Sequence, residues 1–216
     1  MNHLLRLSFL LVLAFSGFAQ TDFNEYKTLQ SAGNPPEDFT IETYAKIEEG
    51  LKEGRSEIGN QIEQRKFLEQ TGYAIDELLH SGLVVYGDPL SNYVTEVANK
   101  LLKNNRKLRD ELRFYTLKTN NTNAFSTDQG IIFVTSGLVS QLTSEAQLAF
   151  ILAHEISHYT EKHVVETFTW KKNKKFRDDW IGQMSIYSKE KEFDADRIAV
   201  EMYRNCLLYT SPSPRD

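Results

Sequence analysis

The pentapeptide His154-Glu155-Ile156-Ser157-His158 constrains this chain more than any other feature of its sequence. On a helix, residues four apart lie about one turn above each other on one face, so His154 and His158 can hold a single metal ion. Glu155 stands beside that face, where it can reach a metal-bound water without being a ligand. The residues leading in, Ala146, Leu148, Ala149, Phe150, Ile151, Leu152 and Ala153, include no helix breaker, and so apolar a run implies burial on most sides. Two neutral imidazoles and a carboxylate in such a helix need partners, and a metal supplies them. Ser144, with Gln147 three residues later, is a capping-box start, so the spacing predicts a long helix through the histidines toward Phe168.

A catalytic zinc takes three protein ligands and keeps a further position for water. His163 is the nearest candidate in sequence. In the metalloprotease pattern with a third His after a Gly turn, that His comes six residues after the second ligand; here the position is Val164, and Glu161 replaces the Gly. On a continuing helix His163 would lie about 180° around from His154. It is therefore expected to support a ligand or to pack. Glu192-Phe193-Asp194-Ala195-Asp196 offers more, on a predicted helix from Glu190 to Asn205. Glu192 and Asp196 are four apart, so one carboxylate can bind the metal while the other accepts the free N–H of a ligand histidine, fixing its tautomer and raising its basicity. Asp194 points elsewhere and reads as solvated.

The ends of the chain carry different information. Met1 to Arg6 has one Arg and no acid, Leu7 to Phe18 is apolar apart from two Ser and a Gly, and small residues follow. Residues 1–19 therefore read as a secretory signal peptide, cut between Ala19 and Gln20. A bilayer-spanning helix needs about 20 apolar residues, and no later segment comes closer, so the mature visible chain is expected to have no membrane span and to be exported, to a periplasm or outside the cell. At the other end, residues 206–216 change composition abruptly and resemble the in-frame translation of a transposase-type sequencing adapter. They read as a non-native scar, with native sequence expected to continue beyond Asn205. The net charge of −5 becomes −6, from 23 basic and 29 acidic side chains, once Arg6, Arg215 and Asp216 are set aside. That balance argues against nucleic acid, which needs a concentrated basic footprint. Cys206 is the only cysteine, so what remains has no thiol nucleophile, disulfide framework or Cys-ligated metal.

Residues 20–39 are polar, contain Gly33-Asn34-Pro35-Pro36, and read as a flexible lead-in. Residues 40–81 read as a helical N-terminal segment: Ile41, Tyr44, Ile47 and Leu51 recur at helical spacing, and so do Ile58, Ile62, Phe67, Ile75 and Leu78, until Ser81-Gly82. The main domain spans 82–205. In it, Asp88 caps and Pro89 starts a helix through Leu102, with Tyr93, Val94, Val97 and Leu101 on its buried side. Glu111 to Lys118 is strand-like, Thr119 to Asn123 is a loop, and Ile131 to Thr135 is a second strand introduced by Asp128-Gln129-Gly130. Trp170 to Arg177 is a basic break.

Asn123-Ala124-Phe125, then Gly130 to Leu138, then Ser144 to Ala149 leading into His154–His158, and later Glu192-x-x-Ala195-Asp196, together resemble the gluzincin family that contains HtpX-type and CAAX-prenyl-protease-type zinc endopeptidases. Tyr86 to Leu90 with Tyr93-Val94 resembles the opening helix of that family. The likeness covers residues 82 to 205 in order. It implies an α+β, mainly helical, zincin-like metallopeptidase domain with a small β-sheet beside the His-Glu-x-x-His helix. It also implies one Zn2+ per chain held by His154, His158 and Glu192, with Glu155 as catalytic base and Asp196 supporting a ligand histidine from behind. Many family members carry membrane-spanning helices between the second His and the third ligand. Here that interval holds Lys171-Lys172-Asn173-Lys174-Lys175, so the chain resembles the soluble, exported branch.

The implied reaction is hydrolysis of a peptide bond by Glu-assisted attack of a zinc-bound water. Its substrate, by analogy, is an unfolded or misassembled envelope protein. Tyr159 could donate to the oxyanion but suits packing better, and the donor is expected beyond Asn205. Ile131, Ile132, Phe133 and Val134 offer a sheet edge on which an extended substrate could pair, or simply core sheet. A different class of function, an exported zinc-binding chaperone or scaffold without proteolysis, uses the same ligands.

Overall fold

The computed structural model describes residues 30–31, 33–35, 48, 51–52, 61–164 and 187–208. The expected signal peptide, most of the helix expected over 40–51, the basic break and residues 209–216 lie outside them. The fold is mixed α/β and mostly helical, with one small sheet of four strands among the described residues.

Helix α1, Gln61–His80, buries Phe67, Leu68, Ile75, Leu78 and Leu79 at helical spacing. It stops where Ser81 N–H bonds back to Leu78 O and Gly82 takes a φ of 75°, a left-handed value that favours glycine. Strand β1, Val84–Val85, follows, and Ser31 and Gly33 bond to Tyr86 just beyond it. This described part of the expected flexible lead-in is therefore tied to the sheet's end. In helix α2, Pro89–Leu101, Asp88 accepts from Leu90 N at 2.8 Å and Ser91 N at 3.2 Å, and Pro89 has no N–H left to satisfy. The buried face is Ser91, Val94, Val97, Ala98 and Leu101. Tyr93 and Ile62, which the periodicity placed inward, are exposed. Tyr93 instead reaches out to Glu145.

Helix α3, Arg106–Glu111, is a single turn and a half capped by Asn105, too short to leave a periodic signal. The remaining strands are β2, Arg113–Leu117, β3, Ala124–Ser126, and β4, Ile131–Thr135. Their order is β1-β2-β4-β3, with β2 and β4 parallel and the outer pairs antiparallel. Strand β4 is thus paired on both sides, and all five of its residues are buried. Ile131–Val134 is the middle of the sheet and not a pairing edge for substrate. Its uninterrupted apolar run is what a strand covered on both faces requires. The edge on this side is β3.

Each face of the sheet has its own core. Phe125, Ile131 and Phe133 pack with Ile75 and Leu79 of α1, while Phe114, Ile132 and Val134 pack with α2 and helix α5, Glu145–Thr160. Between β4 and α5, helix α4, Ser136–Val139, is capped by Thr135. Ser144 caps α5 by accepting Gln147 N–H, but Gln147 returns its side chain to Thr143 N at 2.7 Å, so the reciprocal half of the box comes one residue early. The helix ends at Thr160 and does not run on toward Phe168: Lys162 is left-handed, with φ 56°. Helix α6, Lys189–Leu208, lies along α5, with Ala195 and Ala199 fully buried.

Leu152 is fully buried between α5 and the sheet, two residues before His154. Leu152→Ala is expected to cost about 2–5 kcal/mol in urea unfolding, from lost burial plus the residual cavity. A cost under about 1 kcal/mol would show that this face of α5 is not close-packed.

Candidate metal centre

Helix α5 places His154 and His158 one turn apart, their Nε2 atoms 3.0 Å from each other. Across the α5–α6 seam, Glu192 Oε2 stands 3.3 Å from His154 Nε2 and 3.8 Å from His158 Nε2. Two ligands each about 2.0–2.1 Å from a tetrahedral ion stand roughly 3.3–3.4 Å apart, so the three atoms fit one first-row cation. They are the group among the described residues whose ligand atoms converge in this way.

Both imidazoles are held from behind. His154 Nδ1 lies 2.9 Å from Asp196 Oδ1, one turn beyond Glu192 on α6. Asp196 can only accept there, so the Nδ1 proton stays on His154 and Nε2 faces Glu192 with its lone pair. His158 Nδ1 lies 2.9 Å from His163 Nδ1. One proton serves that bond, and with it on His158 the Nε2 lone pair of this ring also faces the centre. His163 gets there because the left-handed turn at Lys162 folds it back onto the helix end. His163 is thus close to a ligand candidate without joining the converging group.

Electrostatics follow from depth. His158 is fully buried, and its pKa is pushed down to about 3, first by burial and then by the charges His154, His163 and Lys191 would add. Glu155 is also buried, and its carboxyl is pushed up to about 8, first by burial and then by the negative charge of Glu192. Ser126 on β3 works the other way, through its N–H and hydroxyl.

A cleft of about 350 Å³ opens over these residues, lined by Asn123 and Ala124 of the sheet edge and by apolar Leu138, Phe150 and Ile151. A larger apolar cleft, about 660 Å³, lies between α2, α3 and α6 and contains no histidine. Tyr159, which suited packing better than an oxyanion role, donates to the Glu111 carboxylate.

Two residues, one lining the cleft and one buried behind it, escaped the sequence reading. Tyr187 stacks on His158, ring centroids 3.8 Å apart and planes 15° from parallel. Burial, then the Glu155 charge, raise its pKa well above the phenolic range, so it stays a hydroxyl. Ser126 is the fully buried residue after the Asn123-Ala124-Phe125 block, and alternation with Ala124 could have marked it as facing α5.

The model of peptidase family M48 matches residues 90–176. Among curated proteins, the chain is 30% identical over 92 residues to the beta-barrel assembly-enhancing protease of Yersinia pestis, covering 43% of this chain and 19% of that protein. A putative beta-barrel assembly-enhancing protease of Vibrio cholerae is 30% identical over 97 residues, 44% of this chain and 20% of its own length. The beta-barrel assembly-enhancing protease of Escherichia coli K12 is 27% identical over 92 residues, 43% and 19%. The chain therefore spans about a fifth of the length of these relatives.

The depressed His158 pKa has a stability consequence for metal-free protein. An unfolded histidine titrates near 6.5, so between about pH 6.5 and 3 the unfolded chain holds a proton that the folded one does not. The contribution is fully present above pH 6.5 and is lost as pH falls, at up to about 1.4 kcal/mol per pH unit. Glu155 has the opposite sign, but His158 is not among the causes of its shift, so both proteins compared share it. Urea unfolding at pH 7, 6 and 5 is expected to fall more steeply for wild type than for His158→Gln. Parallel slopes would show that His158 titrates normally.

Proposed function

We infer the chemistry of this chain from its membership of peptidase family M48, and propose that it is a zinc metalloendopeptidase of zincin-like fold with one Zn2+ per chain. The observation that carries the reading is the convergence of three acceptors. With the His154 Nδ1 proton directed at Asp196, and in the tautomer of His158 whose Nδ1 donates to His163, His154 Nε2, His158 Nε2 and Glu192 Oε2 face one another at 3.0, 3.3 and 3.8 Å with no proton among them. Such lone pairs repel unless a cation lies between them, and two imidazoles with one carboxylate form a zinc set that leaves a position for water.

His154, His158 and Glu192 would hold the zinc ion, which would supply a water of pKa lowered toward 7 and a Lewis acid for a carbonyl. Glu155, next in sequence to His154, takes the proton as the water oxygen attacks the peptide carbonyl carbon, and then delivers it to the leaving nitrogen as the C–N bond breaks. Burial, the first cause of the raised Glu155 pKa in the metal-free chain, suits that exchange, because it favours the return of a proton to or through a carboxyl that is costly to leave charged. Asp196 keeps the His154 proton on Nδ1, and His163 does the same for His158, so both ligands stay oriented.

The substrate is read as an extended polypeptide laid along β3. Asn123 and Thr127 bond to β4, so by antiparallel alternation Ala124 and Ser126 turn their N–H and C=O groups away from it. Ala124 lines the cleft and offers a pairing edge one strand outward of the one the sequence suggested. A substrate among unfolded or misassembled envelope proteins suits the expected export signal and the names of the relatives. No helix among the described residues is long and apolar enough to cross a membrane.

Purified protein is expected to bind one zinc per chain and to cleave unfolded casein. Glu155→Gln should keep the zinc and lose about 10²–10⁴ in kcat, while Glu192→Ala should lose the zinc. Equal turnover by wild type and Glu155→Gln would sink the mechanism. Zinc binding with no turnover in either would favour the exported scaffold reading.

A further inference from the structure

Three buried oxygens beside the metal centre have no hydrogen-bond partner: Ser126 Oγ, Glu155 Oε2 and the Tyr187 hydroxyl. An unpaired buried oxygen is costly, so three around one spot in a folded chain need a reason. They arrive from three separate parts of the fold. Ser126 lies on β3 with its side chain on the α5 side, as Ala124's is. Glu155 lies on α5, and Tyr187 lies two residues before the start of α6. Ser126 is the shared neighbour: its N–H serves the Glu155 carboxylate, and its hydroxyl lies close enough to act on both the carboxylate and the phenol without reaching hydrogen-bond geometry with either. A rotation of its hydroxyl-bearing side chain, or one water, would link all three.

The inference rests on the metallopeptidase reading and gives it two residues that the family resemblance did not supply. We propose that Tyr187 is a positioning residue with two separable parts, its ring holding the plane of His158 for the metal, and its hydroxyl joining that of Ser126 in a donor pocket behind Glu155. The inner oxygen of Glu155 is held there, and the outer oxygen is presented to the cleft. A phenol and a serine suit the task. Both are neutral donors, so they restrain the carboxylate without forming an ion pair that would hold it ionised. The ring contributes by stacking, which fixes the imidazole plane that Nδ1 hydrogen bonding alone leaves free to tilt.

Tyr187→Phe keeps the ring and removes the hydroxyl, and Tyr187→Leu removes both. Zinc affinity, measured by competition with a chromophoric chelator, is expected to be unchanged in Tyr187→Phe and to fall about 10–100-fold in Tyr187→Leu. With zinc bound, Tyr187→Phe and Ser126→Ala should each lower kcat on a fluorogenic peptide by about 10-fold with KM little changed, and the double variant should be no worse than the poorer single one. The Glu155 carboxylate infrared band, isolated as the difference from Glu155→Gln, should shift in Tyr187→Phe and in Ser126→Ala. That band and the zinc competition need no turnover, so they test the proposal even if wild type proves inactive and the peptidase reading fails. Wild-type zinc affinity in folded Tyr187→Leu would overturn the role of the ring. An unmoved band in both hydroxyl variants would overturn the pocket, and so would wild-type kcat in both if the enzyme is active.

Discussion

An imidazole offers a metal a lone pair on one nitrogen only when its proton is kept on the other, and most of the arrangement around α5 follows from meeting that condition twice. His154 meets it with Asp196 and His158 with His163, each at 2.9 Å. For Asp196 to reach one histidine while Glu192 faces both, α6 must run close along α5 in one register. The seam allows it because Ala153 on α5 and Ala195 and Ala199 on α6 are fully buried. Interaxial distance depends on the side chains at the contact, and alanine permits a close approach. A larger residue at 195 would push both carboxylates off the histidines together.

The sheet serves the same centre from the other side. Strand β4 is covered on both faces and paired on both edges, which makes it the rigid reference for its neighbours. Strand β3 is only three residues long, yet its register is fixed. Phe125 packs on Phe133 toward α1, with centroids 5.1 Å apart, so Ala124 and Ser126 must turn toward α5. A slip of one residue would turn the phenylalanine into the cleft and the serine away from Glu155. One aromatic pair on the far face thus decides what the near face shows to the site.

What could be read from the sequence was what local periodicity encodes. The i, i+4 spacing gave His154 with His158 and Glu192 with Asp196, and the structure brings all four together with Glu155 beside them. The Asp88 cap and the strand at 131–135 were equally local signals. The place of that strand in the sheet was not local, since a run of four apolar residues says that both faces are covered without saying which neighbours do it. His163 depended on one left-handed residue, Lys162, which no pattern marks. Tyr187 bears no periodic relation to α5, and only the tertiary approach of α6 lays it on His158.

Charge closes the argument about what the centre needs. Glu155, Glu192 and Asp196 bring three carboxylates to two histidines, of which His158 is kept neutral by burial. Glu192 raises the Glu155 pKa because like charges close together resist ionising together. A dication held between Glu192 and the imidazoles would reverse the sign of that influence, since the ion would then be the largest local charge. The proton-holding tendency of Glu155 would then come from its burial, with Glu192's repulsion offset by the ion. The proposed division of labour fits the placement of Glu155 deep on α5 while the Glu192 side chain is 42% exposed. In the proposed mechanism depth would keep Glu155 ready to return a proton, and exposure would let Glu192 meet a strongly hydrated ion at the mouth of the cleft.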